Sequence, residues 1–240
     1  IMSNALLSYL NKRLGEENSM DNTIGPPGPV ITISREVGCN GVKLAHKIAK
    51  RLNKRNPEKD WKVLSKEVFY KSAKELDVEP EKVQRVFKQS DRYVFNEILD
   101  AFSSKKYRSE KKIVKTVTDV IKTFSKDGFC IIVGRAGHII AHDIKNALHM
   151  RLVAPLEYRI KTIMENNHLN REEAIDFIEK VEKERLSFRK SIGKVEYEED
   201  MFDMFLNRAS FDDEKTIDLI EMAIEKKNIL GDYNSRMHYY

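Results

Sequence analysis

The chain has 240 residues, of which 41% are hydrophobic and 34% are charged, and its formal net charge is +5. This length allows one α/β domain with insertions and a sizeable core. The mild positive charge fits a pocket for phosphate groups as well as it fits nucleic acid, and no basic stripe with interleaved aromatic residues favours the second. We therefore expect no nucleic-acid partner.

The chain shows no membrane or export signal. No apolar run approaches the roughly 18 residues that span a bilayer, and polar residues interrupt the first leucines, as a signal peptide would not allow. The two cysteines, Cys39 and Cys130, give no disulfide framework and too few ligands for zinc. We therefore expect a cytoplasmic protein without a membrane partner and without a metal site of its own.

The first 28 residues are predicted to be a short helix, at 5–14, followed by a linker rich in Gly and Pro. A single domain follows over 29–230, and residues 231–240 read as a loose tail.

The domain opens with a strand, a loop and a helix in quick succession. Val30, Ile31 and Ile33 form a buried β-branched run, and apolar residues at helical spacing follow Gly41. We call residues 35–41 the glycine loop. Glycines between a strand and a helix N-terminus let backbone N–H groups converge on a phosphate, although the same glycines also serve close packing of strand and helix. The loop is not a standard Walker A sequence, G-x-x-x-x-G-K-[ST], because Gly41 is followed by Val42 and not by Lys and Ser/Thr.

Further along, strands alternate with helices, which predicts an α/β fold with a doubly wound parallel sheet of about five strands. The helices predicted within 66–128 are much longer than a crossover between two parallel strands requires. We therefore interpret this segment as an insertion that covers a site. The other predicted strands are Trp61–Leu64, Phe129–Val133, Ala147–Val153 and an apolar run at 201–206, and helices are predicted over 156–167, over about 171–190 and from Asp212 to about Lys227.

Candidate binding residues follow the strands, where ligands bind in open α/β sheets. The glycine loop follows the first strand, Ser65 and Lys66 follow the second, and Arg135 follows the third after a flexible glycine. A guanidinium at such a place can hold two phosphate oxygens at once, whereas the alternative is a structural ion pair with Asp143.

Three charged residues lie on one face of the helix predicted at 171–190. Glu182, Arg185 and Arg189 have spacings of three and four residues. Taken alone, such a set is most often a solvated charge ladder.

Together these segments resemble the cytidylate-kinase-like family, a branch of the P-loop nucleoside-monophosphate kinases. The resemblance runs from about residue 29 to 228, and the order and spacing of its motifs are more specific than any one motif. It rests on ISREVGCNG (33–41), VGRAG (133–137), VAPLEYRIKTIM (153–164), IEKVEKERLSFR (178–189) and MFDMFLNRASFDDEKTIDLI (201–220).

The resemblance implies a kinase that moves the γ-phosphoryl of ATP, with magnesium, to a nucleoside monophosphate such as CMP or to a related small acceptor. Small-molecule nucleotides are the partners it implies, and homodimerisation is left open. It implies that the insertion 66–128 binds the acceptor and that a helical lid, 156–195, closes over the transferring group. The residues it implies are Arg35, Gly38, Cys39, Asn40, Gly41, Val42, Lys43 and Asn207 for ATP, Ser65, Lys66 and Arg135 for the acceptor, and Arg185, Arg189, Arg135 and Arg159 for catalysis.

The departures from the family pattern leave alternatives open. Set on the family's loop, roughly GPSGSGKGT, Gly41 stands at the Lys position and Lys43 at the metal-holding Ser/Thr position. Without a Walker A lysine, Arg35 or Lys43 would supply the charge, and magnesium would be held mainly by phosphates and water, with at most one carboxylate such as Glu36. Ser65 stands where the family has an Asp that holds the acceptor, so the acceptor is not fixed. Asn207 is either a base contact or a turn former. A nucleotide-binding regulatory module that has lost transfer is the alternative function.

We further expect the lid to swing as a rigid rod on hinges near Pro155 and Gly193. In an unliganded structure it would stand open, with Arg185 too far from the glycine loop to share a phosphate with it.

Overall fold

The computed structural model describes residues 28–56, 60–65, 110–193 and 196–231, with only the backbone for 110–113. Within these ranges the chain forms a sheet of five parallel strands in the order β2-β3-β1-β4-β5. This confirms the predicted α/β class. The strands are β1 (Val30–Arg35), β2 (Lys62–Leu64), β3 (Cys130–Val133), β4 (Ala147–Val153) and β5 (Met204–Asn207).

Strand β1 lies at the centre of the sheet, and both of its faces are covered. Val30, Ile31 and Ile33 are completely buried. Val30 pairs with Cys130 of β3 on one side and with Ala147 of β4 on the other. A near-continuous run of β-branched residues is what a doubly covered parallel strand requires. The loop after β1 therefore starts from the centre of the sheet.

Helices cover both faces of this sheet. In α1 the buried residues are spaced three and four apart, and they pack on the strands in one core with residues of α6. Helices α4 and α5 form a second apolar cluster that also includes Val37 of the glycine loop. The helices in the described ranges are α1 (Gly41–Arg55), α2 (Glu110–Asp127), α3 (Gly137–Ile140), α4 (Leu156–Asn167), α5 (Arg171–Ile192) and α6 (Asp213–Lys226).

The helix ends follow capping rules that the sequence already displays. Asn170 and Glu173 form a reciprocal capping box at the start of α5, and the Asp212 side chain accepts a hydrogen bond from Lys215 N–H at the start of α6. Gly128 follows α2 with φ of 74°, as a left-handed C-terminal residue does. The short helix α3 and a 3₁₀ helix, Glu198–Met201, were not predicted, because neither has enough residues to show a periodic pattern.

Several predictions fall on residues outside the described ranges. These are the N-terminal helix at 5–14, most of the insertion 66–128 and the acceptor residue Lys66, so the domain boundaries stay predictions. Among the described helices, none is both long and apolar enough to cross a bilayer.

Candidate functional site

A cavity of about 500 Å³ opens at the carboxyl ends of β1 and β3. The glycine loop and the first turn of α1 form one wall, and α5 forms the wall opposite. Among its lining residues the cationic side chains are Arg35, Lys43, Arg135, Arg185 and Arg189, and the carboxylates are Glu36 and Glu184. The lining is thus rich in positive charge, as a site for phosphate groups requires.

The glycine loop takes a backbone path that depends on Gly38. This residue has φ of 95°, and a Cβ placed on it would lie 2.8 Å from the Cα of Arg159. Both the left-handed conformation and the close approach of α4 exclude a side chain here. Asn40 is also left-handed, with φ of 50°, which Asn tolerates better than most residues.

The N-terminus of α1 has unsatisfied donors that face this cavity. Its first hydrogen bond joins Leu44 N–H to Asn40 C=O at 3.1 Å, and the Asn40 side chain does not cap the helix. No described residue accepts a hydrogen bond from the N–H groups of Gly41, Val42 or Lys43. All three residues line the cavity, so this helix end can bind an anion through its backbone.

Arg35 extends from the end of β1 across the floor of the cavity. A Cβ on Gly41 would lie 3.2 Å from Arg35 Cγ, and a Cβ on Gly134 would overlap Arg35 Nη1. The two glycines therefore make room for this guanidinium. Within the described ranges it forms no hydrogen bond or ion pair with another side chain. Burial, followed by the charges of Arg185 and Arg135, lowers the pKa of Arg35 well below its usual value, and a bound anion would relieve that repulsion.

Helix α5 is in direct contact with the glycine loop. Arg185 Nη1 donates a hydrogen bond of 2.9 Å to the carbonyl oxygen of Arg35, and Glu182 Oε1 accepts one of 2.6 Å from Val37 N–H. Val37 also packs against Ile178 and Val181 of the same helix. The expectation of an open lid is therefore wrong. The loop backbone presents one acceptor and one donor, and α5 presents the complementary side chains.

Arg189 lies in the same cavity but is paired. Its Nε is 2.9 Å from Glu198 Oε1, and the same oxygen is 2.9 Å from His138 Nε2. The hydrogen bond from His138, ahead of the charge of Arg189, lowers the pKa of Glu198. Arg189 is thus closely paired with a carboxylate, whereas the nearest carboxylate of Arg185, that of Glu182, lies 3.9 Å from its Nη1, so the charge of Arg185 is less compensated.

Arg135 enters the cavity from a tight turn after β3. Gly134, Arg135 and Ala136 have φ values of 75°, 56° and 52°. Such a run is uncommon for residues with a side chain and often marks a functional turn. It places Arg135 on the same side of the cavity as Ser65 at the end of β2, and both residues line it.

Three predicted site residues do not line the cavity. Arg159 donates to the Ala154 carbonyl at 3.2 Å and lies 3.6 Å from Glu36, so it braces the loop from outside. Cys39 is 1% exposed, and burial raises its pKa to about 11, which fits a small filler rather than a reactive thiol. Asn207 Oδ1 accepts a hydrogen bond from Ala209 N–H at 2.9 Å, as a turn former does.

Other lining residues were missed from the sequence. His138 lies on the short helix α3, which has no sequence signal, and Glu184 lies between Glu182 and Arg185. Phe177 and Phe188 complete the α5 wall, and their helical spacing looks the same for a core face and for a cavity wall.

The residues near the loop do not fit a magnesium ion held by protein ligands. The first turn of α1 provides no side-chain oxygen, because it consists of Gly41, Val42 and Lys43. Glu36 Oε2 already accepts a hydrogen bond of 2.9 Å from Ala154 N–H. Elsewhere in the described ranges, no group of three or more His, Cys, Asp or Glu residues is arranged to hold a metal.

Comparisons with known proteins agree with this architecture. The solved structure of an uncharacterized protein from Eubacterium ventriosum has a TM-score of 0.59 and 19% sequence identity, over 82% of this chain and 98% of that one, which shows a shared fold. Shikimate kinase from Bacteroides thetaiotaomicron matches with a TM-score of 0.47 and 10% identity, over 82% of this chain and 98% of that one. No curated protein sequence matches. The model of the cytidylate kinase-like family matches residues 30–210, so the chain belongs to that family.

Proposed function

We propose that this protein is a phosphotransferase that moves the γ-phosphoryl group of ATP to a nucleoside monophosphate or a related small acceptor. The observation that carries the proposal is that Arg35, Arg135 and Arg185 line one cavity together with the uncapped N-terminus of α1. Phosphoryl transfer requires positioning and positive charge around the transferring group more than it requires a covalent partner.

In this proposal the donor phosphates lie on the N–H groups of α1, with Arg35 in the place of the absent Walker A lysine. Arg185 reaches the transferring group from the opposite wall, where its charge counters that of the equatorial oxygens. Arg135 holds the acceptor phosphate between the ends of β2 and β3. The loop has no ligand for magnesium, so magnesium used in the transfer step would be held by the ATP phosphates and by water and would not be required for donor binding.

A nucleotide-binding regulatory module is the second candidate. Gly41 and Lys43 stand at the Lys and Ser/Thr positions of the family's loop, and α5 makes two hydrogen bonds to the loop backbone. A helix held in this way also suits a protein that senses a nucleotide without turning it over.

A coupled assay of ADP release, with ATP and magnesium over a panel of nucleoside monophosphates and nucleosides, separates these candidates. We expect turnover on one acceptor, which would exclude the regulatory module. No turnover across the panel, together with a rise in melting temperature on adding ATP, would overturn the kinase proposal and favour the module.

A further inference from the structure

Lys43 stands where other P-loop proteins bind magnesium. A Walker A loop places a Ser or Thr hydroxyl on the ion two residues after its last glycine, which is position 43 when Gly41 is that glycine. Here the position carries an ammonium group, its side chain is exposed, and it lines the cavity. No described carboxylate forms an ion pair with it. A divalent cation bound at this point would meet a positive charge in place of an oxygen ligand.

The carboxylates of the cavity do not compensate for this change. Glu36 uses Oε2 for the Ala154 N–H, and Arg159 Nε lies 3.6 Å from the same oxygen. Glu184 belongs to α5 on the opposite wall, where the residue has interactions of its own, although its buried Oε1 accepts no hydrogen bond from a described residue. Close to the helix N-terminus, the charges available to a phosphate chain are therefore those of Arg35 and Lys43.

We propose that the glycine loop binds the triphosphate of its donor as the metal-free anion, with Arg35 and Lys43 supplying the charge that magnesium supplies elsewhere. The proposal rests on the proposed function only in taking this cavity as the donor-phosphate site. A divalent cation on the phosphates removes two negative charges and is repelled by both side chains. Donor affinity is therefore independent of magnesium or reduced by it.

Isothermal titration calorimetry on the full chain tests this, with inorganic tripolyphosphate and ATP as probes, each in EDTA and in excess magnesium. We expect both probes to bind in EDTA at least as tightly as in magnesium. Lys43→Ser restores a hydroxyl and removes the charge, so it should weaken binding in EDTA by about tenfold and make magnesium favourable. Lys50→Ser is the matched control, because Lys50 is an exposed lysine of the same helix that does not line the cavity.

Three results would overturn the proposal: binding that requires magnesium, no binding of tripolyphosphate under either condition, or a Lys43→Ser protein with the wild-type magnesium response. None of them depends on turnover. Metal-free binding without phosphoryl transfer would leave this proposal standing and remove the kinase proposal, whereas transfer with strictly magnesium-dependent binding would do the reverse.

Discussion

The carboxylate of Glu182, on α5, accepts a hydrogen bond of 2.6 Å from the backbone N–H of Val37 in the glycine loop. One helical turn later, Arg185 donates to the carbonyl oxygen of Arg35. The two bonds fix the loop on both sides of Glu36. Helix α5 is therefore joined to the glycine loop in the structure and does not stand apart from it.

Removing the carboxylate of Glu182 should loosen the loop. Glu182→Ala leaves Val37 N–H without its acceptor, and Arg159 and Arg185 lose a nearby negative charge. We expect unfolding free energy to fall by about 1–3 kcal/mol in urea denaturation, with weaker ATP binding. Glu179→Gln, an exposed change on the same helix, should alter neither quantity. Wild-type stability and affinity in Glu182→Ala would mean that the contact does not organise the loop.

Arg185→Ala should act mainly on turnover. The partly buried guanidinium is expected to counter charge that develops in the transition state, so its loss should lower the rate about a hundredfold, or about 3 kcal/mol. The measurement is turnover at saturating substrates, with ATP affinity taken separately by calorimetry. Arg171→Ala removes a charge from the far end of α5 and should leave the rate unchanged. A wild-type rate in Arg185→Ala would mean that Glu182, Arg185 and Arg189 form a solvated charge ladder without a catalytic role.

Gly134→Ala should displace the guanidinium of Arg35. A Cβ at this position overlaps Arg35 Nη1, and φ of 75° adds strain of about 1 kcal/mol. We expect ATP affinity to fall about tenfold, since Arg35 loses its place on the phosphates. Gly231→Ala has the same kind of φ but open space around the new Cβ, so it should lower stability without lowering affinity. Equal affinities in the two variants would argue against a phosphate-binding role for Arg35.

Arg135→Lys should distinguish the acceptor from the donor. A lysine keeps the charge but cannot hold two phosphate oxygens in one plane. We expect the acceptor KM to rise about tenfold or more while ATP affinity stays close to that of the wild type. Equal weakening of both substrates, or no change in either, would identify Arg135 as a structural residue of the turn.

His149 should make stability depend on pH. Its Nδ1 lies 2.7 Å from Thr32 Oγ1 in the centre of the sheet, and burial lowers its pKa from 6.5 to about 4. As pH falls, His149 takes up a proton near pH 6.5 in the unfolded chain but only near pH 4 in the folded chain. The free energy of unfolding should therefore decrease by up to about 3 kcal/mol between pH 6.5 and 4. The charged or titratable groups around the ring are Asp203, Lys227, His138 and His142.

Melting temperatures of the wild type and of His149→Gln across this pH range provide the measurement. His149→Gln should flatten the dependence, because the titrating group is gone. His46→Gln, an exposed change on α1, should not. A wild-type slope that persists in His149→Gln would assign the acid sensitivity to another group.

The sequence by itself determined that the fold is a parallel sheet with helices and in what succession its elements follow along the chain, whereas the spatial order of the strands came from the structure. Burial of β-branched runs such as Val30–Ile33, and caps such as Asn170 with Glu173, are local patterns that a single stretch of chain displays. The same holds for the glycine loop and for the arginine after β3, because strand ends in a parallel sheet meet at one edge.

Only the tertiary structure decided which candidate residues line the cavity together and which charged groups lie beside them. The contact of α5 with the loop joins residues 145 to 150 positions apart, and no periodicity encodes such a pair. For the same reason, sequence spacing could not show that Arg35 and Arg185 line the cavity while Arg159 and Asn207 lie outside it. An arginine that braces a loop and one that awaits a phosphate look alike in sequence, because the difference lies in which atoms the fold places beside the guanidinium.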